Sequence, residues 1–198
     1  MSRGRLAYAA LAVADTVLAA RGPHAARRVV KPLLMPVLAV GRDRPTQVAL
    51  GLSGLGDTAL LGRSDAAFTA GLGSFLAAQV AWARALRGRP GGGAVTGHPR
   101  RALPYAAAWA GLNAVLWPRA GTDRLPVAVY SAVLCAMAAV ARDTGDARAA
   151  AGGALFLASD ALIALDRFAD VQLPAHEGLV MATYTAAQAL LAAGGTPD

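Results

Sequence analysis

Two acids sit where acids are costly. Asp57 interrupts Leu-Ser-Gly-Leu-Gly-Asp-Thr-Ala-Leu-Leu at 52–61, and Asp160 interrupts Leu-Phe-Leu-Ala-Ser-Asp-Ala-Leu-Ile-Ala at 155–164. In each run a small residue precedes the Asp, and apolar residues continue on both sides. A carboxylate in hydrocarbon is expensive, so such residues face a protein interior or a water-filled cavity. If both acids share one apolar pocket, desolvation and mutual repulsion keep one protonated while the other stays ionised. A pair of that kind offers a proton donor and a stabilising anion at one place. The residues alone do not say which acid takes which part.

Other polar groups fall near this pair. Ser53 lies four residues before Asp57 and shares its helix face, as Phe156 does for Asp160. Gly51, Gly54 and Gly56 flank Asp57, where small residues let helices approach closely. Asp15 lies in the first apolar segment, where a polar contact fastening two helices is the favoured reading. Lys31 begins the second segment, where an interfacial lysine with a snorkelling stem is the plainest reading.

The elements that position these residues are apolar helices. The 198-residue chain is 56% hydrophobic and 16% charged, against roughly one quarter charged in a soluble domain. Mean hydropathy is +0.43. Eight apolar segments are expected: 5–20, 29–41, 46–62, 66–87, 102–118, 125–141, 148–166 and 175–193. The fold class is therefore all-α, a polytopic transmembrane helical bundle of about eight spans forming a single domain over 1–198. Several segments fall short of the roughly 20 residues of a straight span, so their ends extend into the breaks or the bilayer thins. Pro32 suits the first turn of the second segment, whereas Pro36 predicts a kink there.

The net charge of +7 comes almost entirely from arginine, with Lys31 the only lysine. These arginines stand at segment ends and form no stripe with interleaved aromatics, which excludes nucleic acid and points to lipid headgroups. Their distribution favours both termini on the cytoplasmic side. Arg63 belongs to the outside set. Asp15, Lys31, Asp57 and Asp160 then share one side of the membrane at similar depth, whichever orientation holds. The Ala, Gly and Arg bias suggests a GC-rich genome, and the expected location is a bacterial plasma membrane. The apolar run at the N-terminus is not a signal peptide, because Asp15 interrupts it. Cys135 is a lone buried thiol and forms no intrachain disulfide. His24, His98 and His176 all lie in breaks without a ligand cluster, so neither a metal nor another cofactor is expected.

The two halves echo one another. Asp57 matches Asp160, Ala77-Ala78-Gln79 matches Ala186-Ala187-Gln188, and Asp15–Arg21 matches Asn113–Arg119. Two parallel four-helix repeats, 1–90 and 100–198, would be joined by the Gly-rich basic break at 88–101.

An ordered set of short motifs adds a family. Lys31-Pro-Leu-Leu-Met-Pro36, Gly56-Asp57 with Leu60-Leu61, Phe68-x-x-Gly71-x-x-x-Phe75, Gly153-Ala-Leu-Phe156-x-x-Ser159-Asp160 and Tyr184-x-x-x-Gln188 together resemble the YhhN-like lysoplasmalogenase family. The resemblance spans nearly the whole chain and implies an eight-span hydrolase cleaving the vinyl ether bond of lysoplasmalogens. That reaction needs a protonated acid and a nearby anion, and Asp57 and Asp160 are assigned to this pair. Lys31 is the expected phosphate ligand, with Asp15, Ser53, Gln79, Ser159, Tyr184 and Gln188 completing the substrate site. One departure stands out: the family's His and following Tyr are here Gln79 and Trp82. Glutamine hydrogen-bonds but does not exchange a proton near neutral pH. Two other classes stay open at this point. One is a small-molecule or proton-coupled transporter, and the other is a lysolipid-binding membrane protein without turnover. The expected partners are lysophospholipid and membrane lipid.

Overall fold

The structure is a computed structural model that describes residues 3–22, 25–62, 64–89, 93 and 95–194. His24, Arg63 and part of the 88–101 break lie outside them. Eight α-helices form among these residues, with no strand: α1 Arg3–Ala20, α2 Arg27–Ala39, α3 Arg44–Ala59, α4 Asp65–Arg87, α5 Leu103–Leu116, α6 Arg124–Asp143, α7 Ala147–Ala169 and α8 His176–Ala192. They coincide with the eight expected segments. α2 runs unbroken through both prolines.

Local chemistry sets the ends. Asp43 caps α3 by accepting from the Thr46 amide, with Pro45 in the first turn, and Ser64 caps α4 by accepting from the Ala67 amide. Asp146 begins α7 in the same way, accepting from the Arg148 amide. Gly41 and Gly145 adopt φ of +68° and +76° just past α2 and α6, the left-handed conformation that stops a helix and turns the chain. At the C-terminus of α8, Arg42 Nη1 donates to the Ala192 carbonyl at 2.6 Å, and Arg89 Nη2 donates to Leu191 at 2.8 Å. These cations meet the negative end of the helix dipole and satisfy carbonyls that have no partner within the helix.

Seven helices close a ring in the order α1, α2, α3, α4, α6, α7, α8 and back to α1, while α5 packs outside against α6 and α7. The breaks after α1, α3, α5 and α7 fall at one end of the bundle. Away from that end the core includes Leu34, Leu50, Trp82, Leu86, Met137 and Leu191, each 0–1% exposed. Large apolar side chains also face outward, among them Leu6, Val13, Val29, Val48, Leu55, Leu125 and Val129. A surface of that kind suits lipid rather than water. Among the described residues, three helical stretches, 65–87, 121–143 and 147–169, are long and apolar enough to cross a membrane.

Candidate active site

Five helices, α2, α3, α6, α7 and α8, supply the two acids and their partners at the end of the bundle where α1, α3, α5 and α7 finish. Asp57 stands near the end of α3 and is 1% exposed. Its position is fixed from two sides. Lys31, one turn into α2, places Nζ 3.4 Å from Asp57 Oδ1, and Tyr184 on α8 donates its hydroxyl to Asp57 Oδ2 at 2.7 Å. Gly56 lets α4 pack close beside Asp57: a Cβ there would lie 2.7 Å from the Phe75 ring. Asp160 on α7 is half-buried, and Tyr130 on α6 donates to its Oδ2 at 2.5 Å. Among the described residues, Asp160 forms no ion pair.

Asp57 and Asp160 line the same cavity, as the sequence reading expected. Its volume is about 860 Å³ with its open mouth included, and Lys31, Tyr130, Ser159 and Tyr184 also line it. The rest of the wall is almost wholly apolar, from Leu60, Leu72, Leu112, Leu116, Leu134 and Ile163 among others. Phe75, Phe156 and Tyr184 form one edge-to-face cluster, with centroids 5.6–6.4 Å apart, that holds the Tyr184 ring in place. Such a wall suits an apolar group, with a small number of polar side chains set into it.

The other expected site residues take several places. Ser159 lines the cavity and donates to the Val180 carbonyl at 3.2 Å, joining α7 to α8. Ser53 shares a helix with Asp57, yet it donates to its own helix at Ala49, 2.9 Å away, and does not line the cavity. Gln79 and Gln188 are fully buried behind the cavity wall, with both amide atoms of each outside hydrogen-bond geometry. Gln79 approaches the Tyr130 hydroxyl, and Gln188 approaches that of Tyr184. Each glutamine thus backs one of the two tyrosines. Asp15 is fully buried and outside the cavity lining, and accepts from Arg27 Nε at 3.1 Å. Arg27 also faces Glu177 at 3.6 Å, so this network ties α1, α2 and α8 together.

Three participants escaped the sequence reading. Tyr130 is a lone phenol in a long apolar helix, the one signal that marked it. Arg27 looked like a headgroup residue. Arg167 lies at the end of α7 and lines the cavity mouth, although an arginine at a helix end ordinarily reads as interfacial.

A family model, that of the YhhN family, matches residues 26–195. The chain belongs to the YhhN family. No curated protein and no solved structure matches it. The matched region includes α2–α8, and therefore every residue named above as lining the cavity. In this YhhN protein the motif residues Lys31, Asp57, Ser159, Asp160 and Tyr184 meet around one space, although up to 153 positions separate them.

Proposed function

We propose that the chain is a membrane-embedded hydrolase that cleaves the vinyl ether bond of lysoplasmalogen-type lysophospholipids, releasing a fatty aldehyde and a glycerophospho-alcohol. One observation carries the proposal: two carboxyls line one apolar cavity, and a cation faces only one of them. Family membership supports the substrate class. In this reading all eight helices lie across the membrane, and the alkenyl chain occupies the apolar part of the cavity.

The unequal surroundings divide the roles. Asp57, beside Lys31, is the anion, since an opposite charge within a few ångströms favours the charged form. Asp160 has only a phenol beside it in an apolar wall, which favours the neutral acid. Asp160 then protonates the vinyl carbon next to the ether carbon, leaving an oxocarbenium ion. The Asp57 carboxylate stabilises that positive charge, as a second carboxylate does for glycoside hydrolysis. Water adds to the cationic carbon and returns a proton to Asp160. The resulting hemiacetal collapses: its carbon–oxygen bond to glycerol breaks, the glycerol oxygen takes the hydroxyl proton, and the aldehyde is released. No proton or electron is consumed overall, so no co-reactant is needed besides water. Lys31 serves the Asp57 anion here rather than the substrate phosphate, because a phosphate at Lys31 would be pressed against Asp57.

The test uses the purified protein in detergent with a lysoplasmalogen, and aldehyde is followed by mass spectrometry. The wild type is expected to release aldehyde, whereas Asp57→Asn and Asp160→Asn insert into the membrane but do not. Activity retained in either variant removes that residue from the mechanism.

A further inference from the structure

The geometry points to Arg167 as the group that binds the phosphate of the substrate, at the mouth of the cavity and two helical turns from the acid that donates the proton. This assignment rests on the proposed lysolipid substrate and names the residue that would select it. Arg167, together with Ile163 and Ala164, continues the stripe of α7 that begins at Asp160, and all four line the cavity. Seven residues of helix rise about 10.5 Å. The long Arg167 side chain takes up part of that gap, with its guanidinium set against Phe68 and Asp65 at the start of α4. The space left suits the glycerol backbone that separates a lysolipid phosphate from its ether carbon.

The surroundings of Arg167 suit an anion that comes and goes. The guanidinium carbon lies 3.8 Å from the centroid of Phe68, on the first turn of α4, and Phe68 also lines the cavity. Stacking fixes the plane of the guanidinium and leaves its in-plane N–H donors pointing outward. One of them meets Asp65 Oδ1 at 3.3 Å, but the Asp65 side chain is fully exposed and that of Arg167 is 38% exposed. An exposed ion pair contributes little, so a phosphate displaces this one readily and gains the paired hydrogen bonds an arginine fork makes. Lys31, the other cation on the wall, is engaged with buried Asp57. Among the cations lining this cavity, Arg167 therefore answers to solvent and Lys31 to the catalytic carboxylate.

Two matched substrates separate phosphate binding from general damage: a lysoplasmalogen and the alkenylglycerol with the same chain but no phosphate. In Arg167→Gln, the preference in kcat/KM for the lysoplasmalogen over the alkenylglycerol is expected to fall about tenfold, mainly through KM. Arg167→Lys, which keeps a charge but loses the fork and the flat stack, is expected to fall between the two. Asp65→Asn removes the competing carboxylate and should lower KM for the lysoplasmalogen. An equal loss on both substrates, or an unchanged preference, overturns the assignment. A binding arm separates it from the reaction itself. Affinities for an ester lysophospholipid and its matching monoacylglycerol are measured on wild type and Arg167→Gln. If the wild type turns over nothing but prefers the phosphate-bearing lipid, and Arg167→Gln loses that preference, the phosphate site stands and the hydrolase reading falls. If the wild type binds both lipids equally, the phosphate site falls.

Discussion

The two oxygens of Asp57 meet unlike partners, a lysine ammonium and a phenol, and both meetings are buried. Removing one member of a buried ion pair strands the other charge. Lys31→Met is thus expected to destabilise the protein by about 3–5 kcal/mol, read as thermal unfolding in detergent. The double variant Lys31→Met/Asp57→Asn should recover most of that stability and none of the aldehyde release. A Lys31→Met protein as stable as wild type would show that the pair does not act as a buried unit. At Asp160 the partner is neutral, and Tyr130→Phe takes away its only hydrogen-bond donor among the described residues. We expect turnover to drop about tenfold with little change in stability, consistent with one lost hydrogen bond to the reacting acid. Gln79 approaches that same tyrosine, at the position where the resemblance read from the sequence implies histidine. A protein that binds lysolipid without turning it over is the reading this position favours, should aldehyde release fail. Gln79→His is the direct check: it should raise turnover if the side chain behind Tyr130 takes part in proton movement, and leave it unchanged if Gln79 is only packing.

Helix contacts depend on a few positions without side chains. Gly178 on α8 meets α1 so closely that a Cβ would stand 2.7 Å from Ala20 Cβ and 3.3 Å from its Cα. Neither atom can swing away, because both belong to the α1 backbone and its first side-chain carbon. Gly178→Ala is therefore expected to cost about 1–3 kcal/mol by forcing apart the helices that close the ring. Gly51 on α3 is the matched control, since nothing lies within 4 Å of a Cβ there. Gly51→Ala should leave stability unchanged or raise it by up to about 1 kcal/mol, through better helix propensity. Equal melting temperatures for the two variants would contradict the close α1–α8 packing. The glycines beside Asp57 divide in the same way: Gly56 has no room for a methyl group, and Gly51 has ample room.

At the scale of the molecule, both acids line one apolar cavity at a single end of the bundle. A transporter needs passage between two sides, whereas a hydrolase needs only a site. Purified protein in detergent micelles, with no gradient, is accordingly expected to release aldehyde. Flux in sealed vesicles without release in micelles would favour the transporter reading instead. The Asp15, Arg27 and Glu177 network lies outside the cavity lining and links three helices of the ring. Its role in this account is to hold the cavity end together, so Asp15→Asn should lower melting temperature more than it lowers turnover per folded molecule.

The sequence by itself determined the eight helices, because long apolar runs broken by Gly, Pro and Arg leave the backbone no cheaper way to satisfy its hydrogen bonds. It also singled out Asp57 and Asp160, since an ionisable group in such a run carries a cost that burial must answer. Their common end of the bundle was legible as well, from counting alternating segments. Side-chain direction was not, and only the tertiary structure decided it. Ser53, four residues from Asp57, turns to its own helix, while Tyr130, with no motif around it, reaches Asp160. Lys31 looked like an interfacial lysine until α2 was packed against α3 and its ammonium met Asp57. Arg167 looked like one more interfacial arginine until α4 brought Phe68 beneath it. Which partner a polar group finds depends on the rotation of neighbouring helices about their axes, and that is set by packing between segments distant in the chain.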